Sequence, residues 1–328
     1  MRRKGGRIGA VIALSLLAAL VVAVPERLSP RVARAHLTLN IDAVPIPGAR
    51  LKGAGPLTLA GAWTLRADAP EFHSLSGLAI GPGGRLVAVT DRGMYLTMPK
   101  PGESGSATME AINPDSEGGA FPADAEAVVV DADGQRWIAV ESGNTIERLA
   151  GDGLPGLRAA PQAMADWRRA TGPESLARLP DGRFLVIGEG VERGSAGTFP
   201  ALVFEGEPAQ DREPWLFHIK LSDSYRPVEA AVLGDGRVLV LGRWFGLPFR
   251  FASALYLFDM REARPAGEVT AKYIGRIDGP GISDNFEGMA VEEAADGSLT
   301  IWTVSDSNDA QIIQSTILLK LETRKSAL

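Results

Sequence analysis

The sequence predicts an all-β protein with the β-propeller fold, and three observations support this prediction. A short plan recurs along the chain: a polar or acidic residue opens an apolar strand, a glycine turn reverses it, and a second apolar strand ends in a charged residue. The plan occurs five times, and its openers lie 50, 48, 55 and 58 residues apart. A repeat of this length without a long helical pattern is typical of a propeller, in which each repeat forms one four-stranded blade. The openers are Ser76, Glu126, Glu174, Glu229 and Glu287.

The third observation is that the second strand of each repeat is apolar without alternation, as in Val238-Leu239-Val240-Leu241. A strand with one face in water would alternate apolar and polar residues, whereas a strand covered on both faces has no need of polar positions. This favours strands packed between neighbouring blades over an open β-sandwich, which does not explain the recurring opener. The count predicts five blades, and six is the alternative if a degenerate blade lies within the longer intervals.

The ends of the repeat region predict how the ring closes. The chain ends soon after the third strand of the fifth repeat, at residues 316–321, so the outer strand of this blade must come from elsewhere. Residues 57–65 have the pattern of a strand that no repeat uses. We therefore expect this N-terminal strand to complete the last blade and close the ring. Residues 57–328 would then form the propeller domain, with the Pro- and Gly-punctuated residues 36–56 as a linker.

Residues 1–35 have the pattern of an export signal. A basic head precedes an uncharged apolar run at residues 8–24, and Pro25 follows. Such a pattern marks a secretory signal, and a run of about 17 residues is near the lower limit for crossing a bilayer. A cleaved signal peptide and an uncleaved membrane anchor through residues 8–24 both fit. In either case the basic end stays inside, and we expect the body to be exported to the periplasm or another extracytoplasmic space.

The exported body is strongly acidic. Of 34 basic and 40 acidic residues, the first 35 positions hold seven basic and one acidic, which leaves 27 against 39. This balance argues against a nucleic-acid partner, because phosphates need Lys and Arg, and it suits cations. The chain has no Cys, which excludes disulfides, thiolate zinc sites and Cys nucleophiles.

Hairpin geometry predicts where the charged strand ends meet. In an antiparallel pair, the start of the first strand lies beside the end of the second, and blades around an axis bring all such ends to one mouth of the central channel. We therefore expect eight carboxylates at this mouth, with Arg92 and Arg243 among them. The eight are Asp91, Glu126, Glu141, Glu174, Glu189, Glu229, Glu287 and Asp306.

So many carboxylates cannot all remain ionised side by side, because like charges raise one another's pKa. Protonation, pairing with Arg or a metal ion would each relieve the repulsion. Ca²⁺ is the natural metal, since it takes oxygen ligands and tolerates loose sites with many of them. Asn285, Asn308 and Asp309 would add oxygens. The alternative is structural: each Glu caps a strand or bonds to backbone N–H groups of the next blade.

Candidate catalytic residues lie at the same mouth. Glu126 and Glu287 are candidate general bases. His73 precedes the first inner strand and is a candidate base or ligand, although a single His is more often structural. Arg92 and Arg243 are candidate substrate-binding residues. The sequence has neither a Gly-x-Ser-x-Gly elbow nor a phosphate-cradling Gly loop, so α/β-hydrolase, P-loop and dinucleotide chemistry have no support.

Four stretches carry a family resemblance. They are Leu75-Ser76-Gly77-Leu78 with Thr90-Asp91-Arg92-Gly93, Asp124-Ala125-Glu126-Ala127 with Glu141, Leu239-Val240-Leu241-Gly242-Arg243-Trp244-Phe245, and Asp284-Asn285-Phe286-Glu287-Gly288-Met289-Ala290 with Val304-Ser305-Asp306. Together they resemble the phytase-like family described as "esterase-like activity of phytase". The resemblance implies an exported propeller that hydrolyses phosphate or other esters.

Three functions are consistent with the sequence. The first is a calcium-dependent hydrolase that acts on a small-molecule ester or phosphoester, with the cation binding the substrate anion and polarising water. The second is a non-catalytic propeller of the cell envelope that binds a small molecule or a partner protein. The third is a calcium-dependent lactonase, which would need an Asn-rich inner ring that the sequence does not show.

Overall fold

The computed structural model describes residues 36–112, 124–151, 156–168, 171–190, 197–210, 213–246, 250–307 and 315–328. Residues 1–35, with the predicted leader and membrane anchor, and Asn308 and Asp309 lie outside them. Three short 3₁₀ helices are described, at Pro82–Gly84, Gln162–Met164 and Lys325–Ala327. The strands are β1 (His36–Leu39), β2 (Ile41–Pro45), β3 (Thr58–Ala67), β4 (Leu75–Ile80), β5 (Leu86–Thr90), β6 (Met94–Met98), β7 (Ala107–Ala111), β8 (Ala125–Val130), β9 (Arg136–Val140), β10 (Thr145–Arg148), β11 (Leu157–Ala159), β12 (Pro173–Arg178), β13 (Phe184–Gly188), β14 (Thr198–Phe204), β15 (Trp215–Lys220), β16 (Arg226–Val232), β17 (Arg237–Gly246), β18 (Arg250–Asp259), β19 (Glu268–Thr270), β20 (Lys272–Ile277), β21 (Phe286–Glu293), β22 (Ser298–Ser305) and β23 (Thr316–Arg324).

The strands form five small sheets, each of which is one blade of a propeller. From the inside outwards, blade 1 is β4-β5-β6-β7-β1, blade 2 is β8-β9-β10-β11, blade 3 is β12-β13-β14-β15-β19, blade 4 is β16-β17-β18-β20, and blade 5 is β21-β22-β23-β3-β2. The innermost strands contact one another in blade order, and β21 also contacts β4, so the ring is closed. The prediction of five blades is confirmed, and the described strands leave no place for a sixth.

The N-terminal part of the chain closes the ring, as predicted. β3 pairs antiparallel with β23, so the last blade combines strands from both ends of the chain. In the same blade, the rings of Trp63 on β3 and Trp302 on β22 stack with their centroids 6.1 Å apart. Strand β3 therefore holds the start and the end of the propeller together.

The prediction of a linker over residues 36–56 is wrong for residues 36–45. β1 adds an outer strand to blade 1 by pairing with β7, and β2 adds one to blade 5 by pairing with β3. The physical reason is burial, because Leu37 and Leu39 are 7% and 1% exposed in the core between blades 5 and 1. The two strands thus lie on both sides of the seam where the ring closes.

The hydrophobic core lies between the blades. On β17, Val240 belongs to a cluster that includes Phe217 of blade 3, while Leu239 belongs to one that includes Phe286 of blade 5. All four side chains are fully buried. Because successive side chains point to opposite faces of a strand, a second strand covered on both faces is apolar at every position. This is the origin of the unalternating pattern in the sequence.

The part of the chain that the structure describes contains no helix with the length and apolar character needed to cross a bilayer.

Candidate functional site

A cavity of about 180 Å³ lies at the mouth of the channel, where the inner hairpins of the blades end. Every described residue that lines it is polar, and most of them are acidic. The lining residues are Ser76, Asp91, Asp124, Glu126, Glu141, Glu174, Glu189, Arg243, Glu287 and Asp306. The repeat therefore brings side chains from all five blades to one place, although the first and the last of them are more than 200 residues apart in sequence.

The ends of the second strands form one tier of this lining. Beyond the ladder, the backbone N–H of Glu141 donates to the carbonyl oxygen of Asp124 (2.8 Å), and the N–H of Asp306 donates in the same way to Asn285 (2.8 Å). Blades 1 and 3 have the equivalent hydrogen bonds. In blade 4, Arg243 holds this position and lies opposite Arg226 in the strand ladder. The tier consists of Asp91, Glu141, Glu189, Arg243 and Asp306.

A β-bulge points the carboxylates of the inner strands into the cavity. In blade 2, Ala125 lies opposite Val140 and Ala127 lies opposite Ala139, so Glu126 has no partner residue in the ladder. The ladder skips Glu174 in blade 3 and Glu287 in blade 5 in the same way. A bulge inserts one extra residue and changes the direction of its side chain. These three Glu residues face the cavity for this reason.

Blade 4 has its bulge one residue earlier, which removes Glu229 from the cavity. Val228 is the residue that the ladder skips, and Glu229 lies in register opposite Leu241. A shift of one residue turns a side chain to the other face of a strand. Glu229 is 1% exposed and accepts hydrogen bonds from the backbone N–H of Ala230 (3.0 Å) and of Leu78 (3.4 Å). Glu229 therefore has the structural role that was the alternative in the sequence, in which a Glu bonds to backbone N–H groups of another blade. The assignment of Glu229 as a metal ligand is not supported.

Two further candidates from the sequence lie outside the cavity lining. His73 is 9% exposed, and its Nδ1 lies 3.2 Å from the hydroxyl oxygen of Ser74. Arg92 follows Asp91 in the turn after β5, where its backbone N–H donates to the Thr90 hydroxyl (3.3 Å). Neither the predicted base His73 nor the predicted substrate ligand Arg92 is therefore among the described residues that line the cavity.

Arg243 joins three blades at one side of the cavity. Its Nη2 donates to Glu189 Oε1 of blade 3 (2.7 Å), and its Nη1 donates to Glu287 Oε1 of blade 5 and to Asn285 Oδ1 (3.4 Å). Burial lowers the pKa of Arg243, but the charges of Glu287, Glu189 and Glu174 outweigh burial and raise it overall. The guanidinium is therefore a permanent positive charge. The predicted substrate ligand Arg243 lines the cavity, but its donors already bond to carboxylates.

Three carboxylates of blade 2 lie together in the cavity. Asp124, Glu126 and Glu141 each offer an oxygen, and these oxygens lie within 4.8 Å of one another. Burial raises the pKa of all three, and the charge of Glu287 adds to the effect at Glu126, whose pKa lies well above its usual value. Ca²⁺ takes six to eight oxygen ligands, so these residues could supply part of the ligand set of a hard divalent cation.

Glu174 and Glu287 are two further carboxylates of the acidic lining. Burial raises the pKa of Glu174 well above its usual value, and the neighbouring charges of Glu126 and Glu189 raise it further. Burial also raises the pKa of Glu287, while Arg243 and a hydrogen bond from Asn285 Nδ2 (2.9 Å) oppose the shift. Glu287 is therefore the more firmly oriented carboxylate of the two.

The lining contains seven of the eight carboxylates that the sequence assigned to the mouth, and Asp124 in place of Glu229. Asp124 was missed although it lies two residues before Glu126, immediately before β8. Ser76 occupies the bulge of blade 1, which spans Leu75 to Leu78. The position that holds Glu in three blades thus holds Ser76 in blade 1 and Val228 in blade 4.

The fold and the site define a five-bladed propeller with an acidic cavity at one mouth of its channel. A model of the phytase-like family, described as "Esterase-like activity of phytase", matches residues 70–309. The match covers most of the chain, and the protein belongs to this family, as the motifs predicted. None of the curated proteins compared with the chain matches it significantly.

Several solved structures are similar to the chain at low identity. A gluconolactonase from Xanthomonas campestris is 16% identical, with a TM-score of 0.47 and coverage of 90% of this chain and 99% of its own. The pyranose dehydrogenase PQQ domain from Coprinopsis cinerea is 10% identical, with a TM-score of 0.46 and coverage of 90% and 99%. Virginiamycin B lyase from Staphylococcus aureus is 14% identical, with a TM-score of 0.38 and coverage of 86% and 99%. These similarities are too distant to assign an activity to the chain.

Proposed function

We propose that this protein is a cation-dependent hydrolase of ester or phosphoester bonds. The observation that carries the proposal is the group of Asp124, Glu126 and Glu141, whose carboxylate oxygens converge within 4.8 Å in a cavity without an apolar wall. These residues would hold the cation, and Ca²⁺ is the best match for an all-oxygen site of loose geometry. The leader pattern in residues 1–35 supports an exported protein, and extracellular modules bind Ca²⁺ with a Kd of about 0.1–1 mM.

A cation bound here would polarise a carbonyl or phosphoryl oxygen and lower the pKa of a bound water. Glu287 is the favoured general base, because Arg243 and Asn285 fix its carboxylate and burial raises its pKa. A base works best when its pKa lies near the working pH. Glu126 belongs with the cation ligands, although the sequence made it a candidate base as well.

The charges of the cavity favour an ester with one reacting group over a polyphosphate such as phytate. Arg243 is the one cationic residue of the described lining, and its donors bond to Glu189 and Glu287. Several phosphates would therefore face eight carboxylates with a single cation to balance them. Even a substrate with one negative charge would bind weakly in this cavity unless the bound metal ion offset the repulsion from the carboxylates.

An aromatic hairpin beside the mouth favours an apolar or aryl group on this ester. β17 pairs with β18 for three residues beyond Arg243, and Phe245 lies opposite Phe251 with ring centroids 5.1 Å apart. Phe245 is 51% exposed. Side chains two apart share a face of a strand, so Phe245 continues the face that carries Arg243. Lactones, which are cyclic esters, belong to the substrates that this surface suits.

A second candidate function is a non-catalytic envelope propeller. The bonds from Arg243 to Glu189 and Glu287 favour it, because a paired Arg at the mouth is what a structural role predicts. In that case the cation would stabilise the ring, and the cavity would have no substrate.

The test is hydrolysis of a panel of aryl esters, alkyl esters, lactones and phosphomonoesters by the purified protein in EDTA and in excess Ca²⁺, Mg²⁺ or Mn²⁺. We expect hydrolysis that EDTA abolishes and Ca²⁺ restores. Glu126→Gln should raise the Ca²⁺ concentration for half-maximal rate at least about 10-fold. Glu110→Gln removes a carboxylate of β7 outside the cavity and should leave the rate unchanged. Hydrolysis that ignores EDTA contradicts the proposal. No hydrolysis by a protein that Ca²⁺ still stabilises supports the second candidate.

A further inference from the structure

We propose that Arg243 is a built-in cation that takes the place of a second metal ion and limits the cavity to one divalent cation. The inference deepens the proposed function, because it takes Asp124, Glu126 and Glu141 as the ligands of that one ion. It assigns Arg243 a role in setting the number of ions, and it removes this residue from the groups that contact substrate.

The first step is the register of the blades. Four of the five second-strand ends at the mouth are carboxylates, and in blade 4 Arg243 stands at the equivalent position, opposite Arg226. The bulge of blade 4 also holds Val228 where blades 2, 3 and 5 hold Glu. Blade 4 therefore contributes no carboxylate to the lining and contributes a positive charge in its place.

The second step is the set of contacts that Arg243 makes. Its two terminal nitrogens bond to Glu189 and Glu287, which belong to the blades on either side of blade 4. The side chains are 22%, 5% and 12% exposed, so salt screens these charges less than surface charges. A second metal ion at this position would make the same contacts, because it would bridge the carboxylates of blades 3 and 5. The planar fork of Arg can bond to two carboxylates at once, whereas Lys offers a point charge.

The third step is the division of the cavity that results. On one side, Glu189 and Glu287 have Arg243 as their counter-ion, and Arg226 Nη1 lies 3.9 Å from the other carboxylate oxygen of Glu189. On the other side, Asp124, Glu126 and Glu141 have no Lys or Arg within the described lining. A divalent ion is favoured on the second side. On the first side it would have to displace the guanidinium or approach it against like charge.

The test counts ions bound to the full-length protein, with a pair of variants that separates charge from contact. Equilibrium dialysis and calorimetry with Ca²⁺ up to about 10 mM cover the weakest extracellular sites. We expect about one ion per chain for the wild-type protein and for Arg243→Lys, and about two for Arg243→Gln. In EDTA, Arg243→Gln should have a lower Tm than the wild-type protein, and Ca²⁺ should raise that Tm by more than it raises the wild-type Tm.

Equal ion counts for Arg243→Gln and the wild-type protein would overturn the inference, and so would equal behaviour of the Gln and Lys variants. If Arg243→Gln does not fold, the number of bound ions is measured instead for Glu287→Gln in an otherwise wild-type protein. It should still bind about one ion, because Glu287 belongs to the side that Arg243 neutralises, and loss of the ion would overturn the inference. These readouts measure binding, so a protein that binds one ion and hydrolyses nothing fails the proposed function and leaves this inference standing.

Discussion

Replacing Glu229 with Gln tests the register of blade 4 without changing the cavity lining. The carboxyl of Glu229 is 1% exposed, and its two acceptors receive hydrogen bonds from the N–H groups of Ala230 and Leu78. Burial raises the pKa of Glu229 well above its ordinary value of 4.5, and these hydrogen bonds only partly oppose the shift. Between the pKa of the unfolded chain and the raised pKa of the folded protein, the folded protein therefore keeps a proton that the unfolded chain releases.

The expected magnitude follows from this difference. Below pH 4.5 the carboxyl is protonated in both states, and its full contribution to stability is present. Above that pH the unfolded chain loses the proton, so the free energy of unfolding falls by about 1.4 kcal/mol per pH unit until the folded pKa is passed. Gln has no proton to release and lacks this dependence. Its amide adds an offset, because an N–H group now faces a donor, but the offset does not vary with pH.

The assay is urea unfolding of both proteins in EDTA, at intervals between about pH 4 and pH 8. The difference in unfolding free energy, Glu229→Gln minus wild type, should rise with pH at the slope given above. Ca²⁺ affinity, measured by calorimetry, should be the same for both proteins. Parallel stability curves would show that the folded carboxyl is ionised, and a loss of Ca²⁺ affinity would return Glu229 to the ligand set. The first result would contradict a buried, protonated carboxyl, and the second would refute the register argument.

Three other changes test the ring, the approach of the inner strands and the aromatic hairpin. Leu65→Ala should lower the free energy of unfolding by about 2–5 kcal/mol, because Leu65 is 5% exposed beside the seam. The control in urea unfolding is Leu216→Ala, since the Leu216 side chain is 38% exposed. Equal losses of stability in the two variants would contradict the prediction. Gly288→Ala should cost about 1–3 kcal/mol, since its Cβ would lie 2.6 Å from the carbonyl oxygen of Ser76; an unchanged Tm would contradict this. Phe245→Ala should raise KM for an aryl ester about 10-fold and leave kcat unaltered, and a fall in kcat at constant KM would argue against an apolar subsite.

The sequence was sufficient for the ring and for most of the cavity because a repeated hairpin determines both. Once Glu126 opens a first strand and Glu141 ends the second, antiparallel pairing brings them together in every blade that keeps the plan. The position of the bulge was not predicted, since aligning the repeats on their acidic residue hides a shift of one. The signal was present in the spacing to the turn. Glu126 lies seven residues before Asp133, whereas Glu229 lies six residues before Asp235.

The outer strands β1 and β2 were not predicted for a different reason. Each is short and pairs along one edge, so its burial depends on blades that are formed elsewhere in the chain. Leu37 and Leu39 alternate with exposed residues over only four positions. A pattern this short does not distinguish an edge strand from a loop, and only the assembled blade 1 provides the surface that these side chains cover.

The position of the Glu229 side chain affects how molecules can pass through the central channel. The side chain extends from blade 4 past blade 5 to the backbone of Leu78 in blade 1, in a region where the inner strands already approach closely. Glu229 thus links two blades that are not neighbours in the ring. A side chain in this position narrows the channel behind the acidic cavity, and we expect a substrate to enter and leave by the mouth.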